Sequence, residues 1–309
     1  MIISASRRTD IPAFFGEWFY NRLKEKRVLV RNPRNPGMIT EIPLDPGLIE
    51  CIVFWTKNPE NFFQYLPKID RLGYRYYFQF TLTPYDASIE RNLDKSRIIR
   101  IFTELSRMIG RNKVIWRYDP ILVNNVFTVD FHRERFESLC ARLSPYTEKC
   151  VISFIDSYPF LKKEFDDNNI TALPKGEMTA MAELLSSIAG KYDMPLFTCC
   201  EKIDLERFGI RHNRCIDGDL IERLFNVMVT AAGDPSQRSG CGCHAGRDIG
   251  TYNTCLHGCA YCYARRGTKP GVCDPASPLL CDTPKGNERI IRLELTPVTA
   301  KPPSLFPPG

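Results

Sequence analysis

Three cysteines in one short run, Cys255, Cys259 and Cys262, are the residues of this chain best spaced to do chemistry. Intervals of four and three residues let a single loop place thiolates at three corners of an iron–sulfur cube. The fourth iron is then left without a protein ligand and is open to a substrate or cofactor. Gly258 gives the loop backbone freedom, and Tyr261 stands beside the third thiol, where it can shield a cluster or touch a base. Zinc also takes clustered thiolates. A zinc knuckle completed by His257, His244 or another cysteine is therefore the competing reading of the same run.

A second group of thiols lies just upstream. Cys241 and Cys243 are separated by one glycine, Cys215 precedes them, and the pair Cys199-Cys200 ends an apolar run. Cys199, Cys215, Cys241 and Cys243 make a four-thiol set, enough for a closed second iron–sulfur cluster or a zinc ion. Cys199 is taken over Cys200 because it follows the apolar run directly. The plainer alternative is that these are small core residues, as free cysteines often are. Cys51, Cys140 and Cys150 sit inside apolar patterns and read as core, and Cys273 and Cys281, in a Pro-rich stretch, receive no role.

Cys255, Cys259, Tyr261 and Cys262 resemble the C-x3-C-x-aromatic-C loop of the radical S-adenosylmethionine (SAM) superfamily, and the ending Tyr261-Cys262-Tyr263-Ala264 is similar to its spore photoproduct lyase branch. The whole chain also resembles an uncharacterised family, a domain of unknown function with these cysteines near its C-terminus. The resemblance implies a [4Fe–4S] cluster whose open iron binds SAM, reductive cleavage to a 5′-deoxyadenosyl radical, an unknown substrate, and a reductant such as a flavodoxin or ferredoxin. It implies roles for strand-end residues too. Thr56-Lys57 resembles a strand end whose lysine contacts SAM, and Arg117-Tyr118-Asp119-Pro120 resembles another, with Arg117 and Asp119 suited to the carboxylate and ribose of SAM. Lys57 and Arg117 are thus the candidate catalytic residues, and Tyr261 and Asp119 candidate cofactor contacts. Most members of the superfamily carry the loop near the N-terminus, after the first strand. Here it follows the last unit, as a circularly permuted fold would place it.

These residues need elements to position them. Short β-rich runs at 2–6, 50–55, 74–83, 113–117, 150–155 and 195–198 alternate with helical patterns at 11–26, 61–72, 88–109, 128–143, 177–192 and 219–232. Alternation of this kind builds βα units around a parallel sheet. Each strand ends in polar residues, as the active-site face of a TIM-like barrel requires. The expected fold is therefore α/β: a partial, six-stranded parallel β/α barrel with a C-terminal iron–sulfur loop. Residues 1–267 make the barrel, including a cysteine-rich segment at 199–263, and 268–309 a Pro-rich tail with one further strand at 290–295 and a disordered end at 302–309. Thr81, Thr83 and Ser153 alternate into the barrel interior, where Thr83 and Ser153 can donate hydrogen bonds to SAM or substrate. Asp10, before Pro12, reads as a helix N-cap, and one of Arg7 and Arg8 as an anion contact in the site. Arg247 to Tyr252 reads as a strand-to-loop entry holding the thiols.

Composition bounds the rest. At 309 residues, 43% hydrophobic and 25% charged, the chain reads as an ordinary globule with a proper core. No run approaches a membrane span, and the start reaches its charges after an apolar opening, the reverse of a signal peptide. The expectation is a cytoplasmic protein whose 13 cysteines are unpaired and serve metal or catalysis. A net charge of +6, without long basic blocks, is no nucleic-acid footprint. A nucleic-acid module using Arg7, Arg8, Arg265 and Arg266 with the tyrosines ranks last, behind a non-catalytic zinc or electron-transfer protein. No GxGxxG or P-loop pattern appears.

Overall fold

The computed structural model describes residues 1–238, 240–265, 267 and 273–301. In chain order the elements are β1 (Ile2–Ala5), α1 (Ile11–Phe14), α2 (Gly16–Glu25), β2 (Arg27–Arg31), β3 (Met38–Pro43), β4 (Cys51–Thr56), α3 (Leu66–Arg71), β5 (Tyr76–Thr81), α4 (Lys95–Ile109) and β6 (Val114–Ile121). There follow α5 (Val129–Leu143), β7 (Cys150–Phe154), α6 (Lys162–Asp167), α7 (Lys175–Gly190), β8 (Leu196–Thr198), β9 (Arg211–His212), α8 (Gly218–Phe225), β10 (Gly246–Asp248) and β11 (Arg289–Arg292).

Eight strands form one sheet in the order β10-β1-β4-β5-β6-β7-β8-β9, and every pairing in it is parallel. Its six central strands are those the alternating pattern predicts, in the predicted order. The two edge strands were not predicted as such: β9 has two residues and β10 three, too short to show a period-2 pattern. β10 lies in the stretch read as an entry to the cysteine loop, and it pairs with β1, setting Gly246–Asp248 beside Ile2–Ser4.

Alternation along the strands sends residues to two faces. Ile3, Ala5, Ile52, Phe54, Phe78, Phe80, Trp116, Ile152 and their neighbours join the helices in one large core. Phe54 stacks on Phe78 with centroids 4.8 Å apart and meets Phe19 of α2 edge-on, while Trp116 stacks on Phe136 of α5. Each such buried side chain contributes about 1.5–3 kcal/mol relative to exposure. The opposite face carries Ile2, Cys51, Val53, Tyr77, Ile115 and Val151, packed against Cys215, Ile216, Leu220, Ile221 and Cys243.

Several expectations are corrected. The helix predicted at 88–109 begins only at Lys95, because Asp94 accepts from the N–H groups of Ser96 and Arg97 and ends the preceding coil. The helix at 11–26 breaks between Phe14 and Gly16. The helix at 219–232 stops at Phe225, where Asn226 turns left-handed at φ 52°. Strand β6 continues past Arg117 to Ile121. The hairpin β2–β3 went unpredicted, as did α6, and β11, the strand predicted at 290–295, docks parallel to β3. Residues 273–301 lie against the rest of the chain, with Trp18 and Arg22 donating to the carbonyls of Ser277 and Ala276. Cys273 and Cys281 form a disulfide, against the expectation that every cysteine is unpaired; their Cα atoms are 4.0 Å apart. The end at 302–309, predicted to be disordered, lies outside the described residues, as do Arg266 and 268–272.

Candidate functional site

The cysteine loop leaves β10 at the carboxyl end of the sheet. Asp248, the last residue of β10, accepts hydrogen bonds from Ser4 and Ser6 hydroxyls and from the Arg7 backbone N–H, at 3.1, 2.6 and 2.8 Å. One carboxylate thereby ties β10 to the end of β1 at the point where the loop begins. The predicted N-cap Asp10 does cap α1, accepting from Ala13 N at 3.0 Å. Its other oxygen accepts from Lys57 N at 2.7 Å and sits 2.8 Å from Nε2 of His257, inside the loop.

Under the loop lies a residue that sequence reasoning missed. Glu90 is fully buried, and one of its oxygens accepts from Thr83 Oγ1 at 2.8 Å, from Lys57 Nζ at 2.7 Å and from the Tyr261 hydroxyl. Lys95 binds the other oxygen. Burial alone would raise this carboxyl, but Lys57 and Lys95 bring it down to about 2. The structure therefore brings Lys57, Thr83 and Tyr261 together as partners of Glu90, with Lys57 also donating to the Tyr261 hydroxyl at 2.8 Å. The coil that was predicted helical braces the loop further: Asn92 donates to Leu256 O at 2.6 Å, and Ala260 N donates to Ile89 O at 2.9 Å. No sequence signal marked Glu90, because its partners come from separate segments of the chain.

Cys259 is buried and Cys255 and Cys262 are half-buried. Cys255 lies near enough to feel the charges of Cys262 and Cys259, and its sulfur accepts from the His257 backbone N–H. Among the described residues no group of three or more His, Cys, Asp or Glu side chains converges on a position for one metal ion. A zinc ion needs four donors about 2.0–2.3 Å from a single point, whereas cluster thiolates each hold a different iron and need not converge. Three thiols carried on one loop, with one accepting a backbone N–H, are a donor set that fits a cluster.

The second gathering of predicted residues lies across β6, β7 and β8. Arg117, 4% exposed, donates to Cys215 Sγ at 2.9 Å and to Gln79 Oε1 at 3.4 Å, and pairs with Asp119, which also accepts from Ser153. Cys199 and Cys215 sulfurs are 3.3 Å apart, and the Cys215 N–H donates to Cys243 Sγ at 3.2 Å. Cys243 hydrogen-bonds Cys241 in turn, while Cys200 reaches Cys241 and Arg238. Two unpredicted residues belong here. Trp55 lies under both Arg7 and Arg117, at 5.2 and 5.3 Å, and Gln79 donates to Cys215 O at 2.8 Å. Beside them Glu201 accepts from Phe154 N, and burial lifts its carboxyl to about 7, with Asp156 and Asp119 adding to the rise.

Of the arginines in the nucleic-acid reading, Arg265 pairs with Glu164 and Arg8 packs on Tyr252 and donates to Gly250 O, while Arg266 lies outside the described residues. His244 Nδ1 accepts from Gly218 N. No helix among the described residues is long and apolar enough to cross a membrane.

Lys57, Thr83, Asp119, Cys199 and the cysteine loop all lie at or just beyond the carboxyl ends of parallel strands, where open α/β sheets bind their ligands. The class is thus an α/β protein with a parallel sheet and a cysteine loop at the carboxyl end of its strands. A family model described as Domain of unknown function (DUF1848) matches residues 2–264, and the chain belongs to that family. No curated protein matches it.

Proposed function

We propose that this chain is a radical SAM enzyme, with Cys255, Cys259 and Cys262 holding a [4Fe–4S] cluster beside a partial β/α barrel in circularly permuted order. The observation that carries the reading is the position of the loop: it follows β10, which pairs with β1, so the C-terminal cysteines stand at the carboxyl end of a parallel sheet beside its N-terminal strand. That is where an N-terminal loop would lie in an unpermuted fold.

When bound, the cluster would supply the electron that cleaves SAM and so starts radical chemistry on a substrate. The chain's own residues hold the loop and shape the space around it. Asp10 fixes His257, Glu90 fixes Tyr261 and Lys57, and Asp248 fixes the loop's origin. Asp119 and Ser153, hydrogen-bonded to one another near the ends of β6 and β7, are suited to the ribose of SAM, with the buried Arg117 holding Asp119 in place. Walls of buried aromatic residues such as Tyr85, in contact with Tyr261, exclude water from the loop's inner side. The ligating thiols must stay reduced, which suits a cytoplasmic setting with a flavodoxin or ferredoxin as electron donor.

A second reading is favoured by one atom. His257 Nδ1 is buried without a partner among the described residues, and it would serve as a fourth ligand if the loop held zinc in a non-catalytic site. Anaerobically reconstituted protein separates the two. The expected result is iron and sulfide in the wild type and an EPR signal of the reduced form that shifts on adding SAM. That shift is lost in the Cys255→Ala, Cys259→Ala, Cys262→Ala triple variant, and 5′-deoxyadenosine accumulates only in the wild type. Zinc without iron, or a cluster indifferent to SAM, overturns the reading.

A further inference from the structure

We infer that Cys199, Cys215, Cys241 and Cys243 hold a second, closed iron–sulfur centre. Its four sulfurs come from three segments: the end of β8, the coil before α8 and the coil before β10. They are drawn into a connected string, Cys199 to Cys215 at 3.3 Å, Cys215 N–H to Cys243 Sγ at 3.2 Å, and Cys243 to Cys241.

The surroundings of Cys215, the centre of the string, are those of a ligand. Cys215 Sγ accepts from the Arg117 guanidinium at 2.9 Å and from Asn213 Nδ2 at 3.5 Å, and the charge of Arg7 lies near Cys243 and Cys215. Donors and cations aimed at a buried sulfur stabilise it as thiolate, and such outer partners orient metal ligands and tune the metal. The contrast within the same chain is direct. Cys51, Cys140 and Cys150 are wholly buried and accept from no side-chain donor among the described residues. A thiol that merely fills core would look like those three. A guanidinium, an amide and two further cysteines around Cys215 have no purpose in packing.

The string form also bears on which metal. Four sulfurs in sequence do not surround one point, as a tetrahedral zinc would require. A two-iron cluster takes two thiolates at each iron and a four-iron cluster one at each, so neither asks four sulfurs to meet at a single point. Four thiolates leave no iron open, so this centre would differ in kind from the three-cysteine loop. Of the adjacent pair, Cys199 is the one whose sulfur meets Cys215, at 3.3 Å.

The inference stands apart from any role of SAM, and one variant isolates it. In full-length protein reconstituted anaerobically with iron and sulfide, the Cys255→Ala, Cys259→Ala, Cys262→Ala variant is expected to keep about half of the wild-type iron and sulfide. The retained cluster should have an EPR signal that SAM does not move. Adding Cys215→Ala and Cys243→Ala should lower iron at least tenfold. Cys241, only half-buried, offers a change that leaves the fold alone, and Cys241→Ser in the triple background should also deplete iron severalfold. A folded triple variant that holds no iron, or holds zinc in its place, overturns the inference. So does unchanged iron after Cys241→Ser or the Cys215/Cys243 pair of changes. Failure of the SAM reading looks different: wild type and triple variant would then both carry iron, neither responding to SAM.

Discussion

The two cysteine sets are held in opposite ways. The loop at Cys255, Cys259 and Cys262 is one continuous segment, and the structure grips it from outside through Asp10, Glu90 and Asn92. The other set is gathered from three segments, and its grip runs through the sulfurs themselves, by way of Arg117, Asn213 and the contacts among Cys199, Cys215 and Cys243. In the first, anchoring and ligation are separate tasks given to different residues. In the second they fall on the same atoms. The loop should therefore be perturbable through its supports while its thiols stay intact, whereas in the second set Arg117 and Asn213 act on a sulfur directly and Tyr77 and Gln79 hold only the Cys215 carbonyl.

The strongest way to break that comparison is Glu90→Ala. It strands Lys57, Lys95 and the Tyr261 hydroxyl in a buried site, and removing one member of such a buried ionic group costs about 3–5 kcal/mol. Urea unfolding should record the loss, and thiol labelling of Cys259 should quicken at least tenfold while Cys215 labels at its former rate. If both cysteines quicken together, the two regions are one cooperative unit and the distinction fails.

A titration of the common scaffold comes next. His132 is fully buried, its Nε2–H donating to Leu122 O at 2.8 Å and its Nδ1 accepting from the Tyr118 hydroxyl at 2.7 Å. Burial lowers it to about 4 despite the Leu122 carbonyl, which favours the charged form. A base with a lowered folded pKa contributes stability above its ordinary value of 6.5, and that contribution is lost as pH falls from about 6.5 to about 4. The loss amounts to about 3 kcal/mol, measurable as a falling urea midpoint, and labelling at both cysteine sets should rise in parallel. A midpoint flat across this window would show that His132 is not held neutral.

Arg117→Met should have the smallest effect, about 2 kcal/mol for the lost charged hydrogen bonds. Here the labelling pattern is expected to reverse, with Cys215 altered and Cys259 unchanged. An unaltered Cys215 would mean that its sulfur does not depend on the guanidinium.

How much of this was legible beforehand follows from how local each feature is. The three-thiol loop, the N-cap at Asp10 and the six central strands each rest on residues close in sequence, where spacing and period-2 patterning carry the signal. The strand-end positions of Lys57, Thr83, Asp119 and Cys199 follow from the same alternation. Glu90 was hidden because its worth depends on Lys57, Thr83, Lys95 and Tyr261, residues up to 171 positions away. The stretch around it was misread as helix because apolar spacing continued through 88–94, while the stop came from the Asp94 side chain.

The amino-acid sequence by itself determined the parallel α/β plan and the residue types able to ligate metal, since both arise from backbone periodicity and side-chain chemistry within short windows. Tertiary structure alone decided that β10 closes onto β1, that Glu90 lies beneath Tyr261, and that Cys199, Cys215 and Cys243 meet. Those contacts depend on which distant segments share a buried space, and a buried charge or sulfur is assigned its partners only once the chain has closed around it.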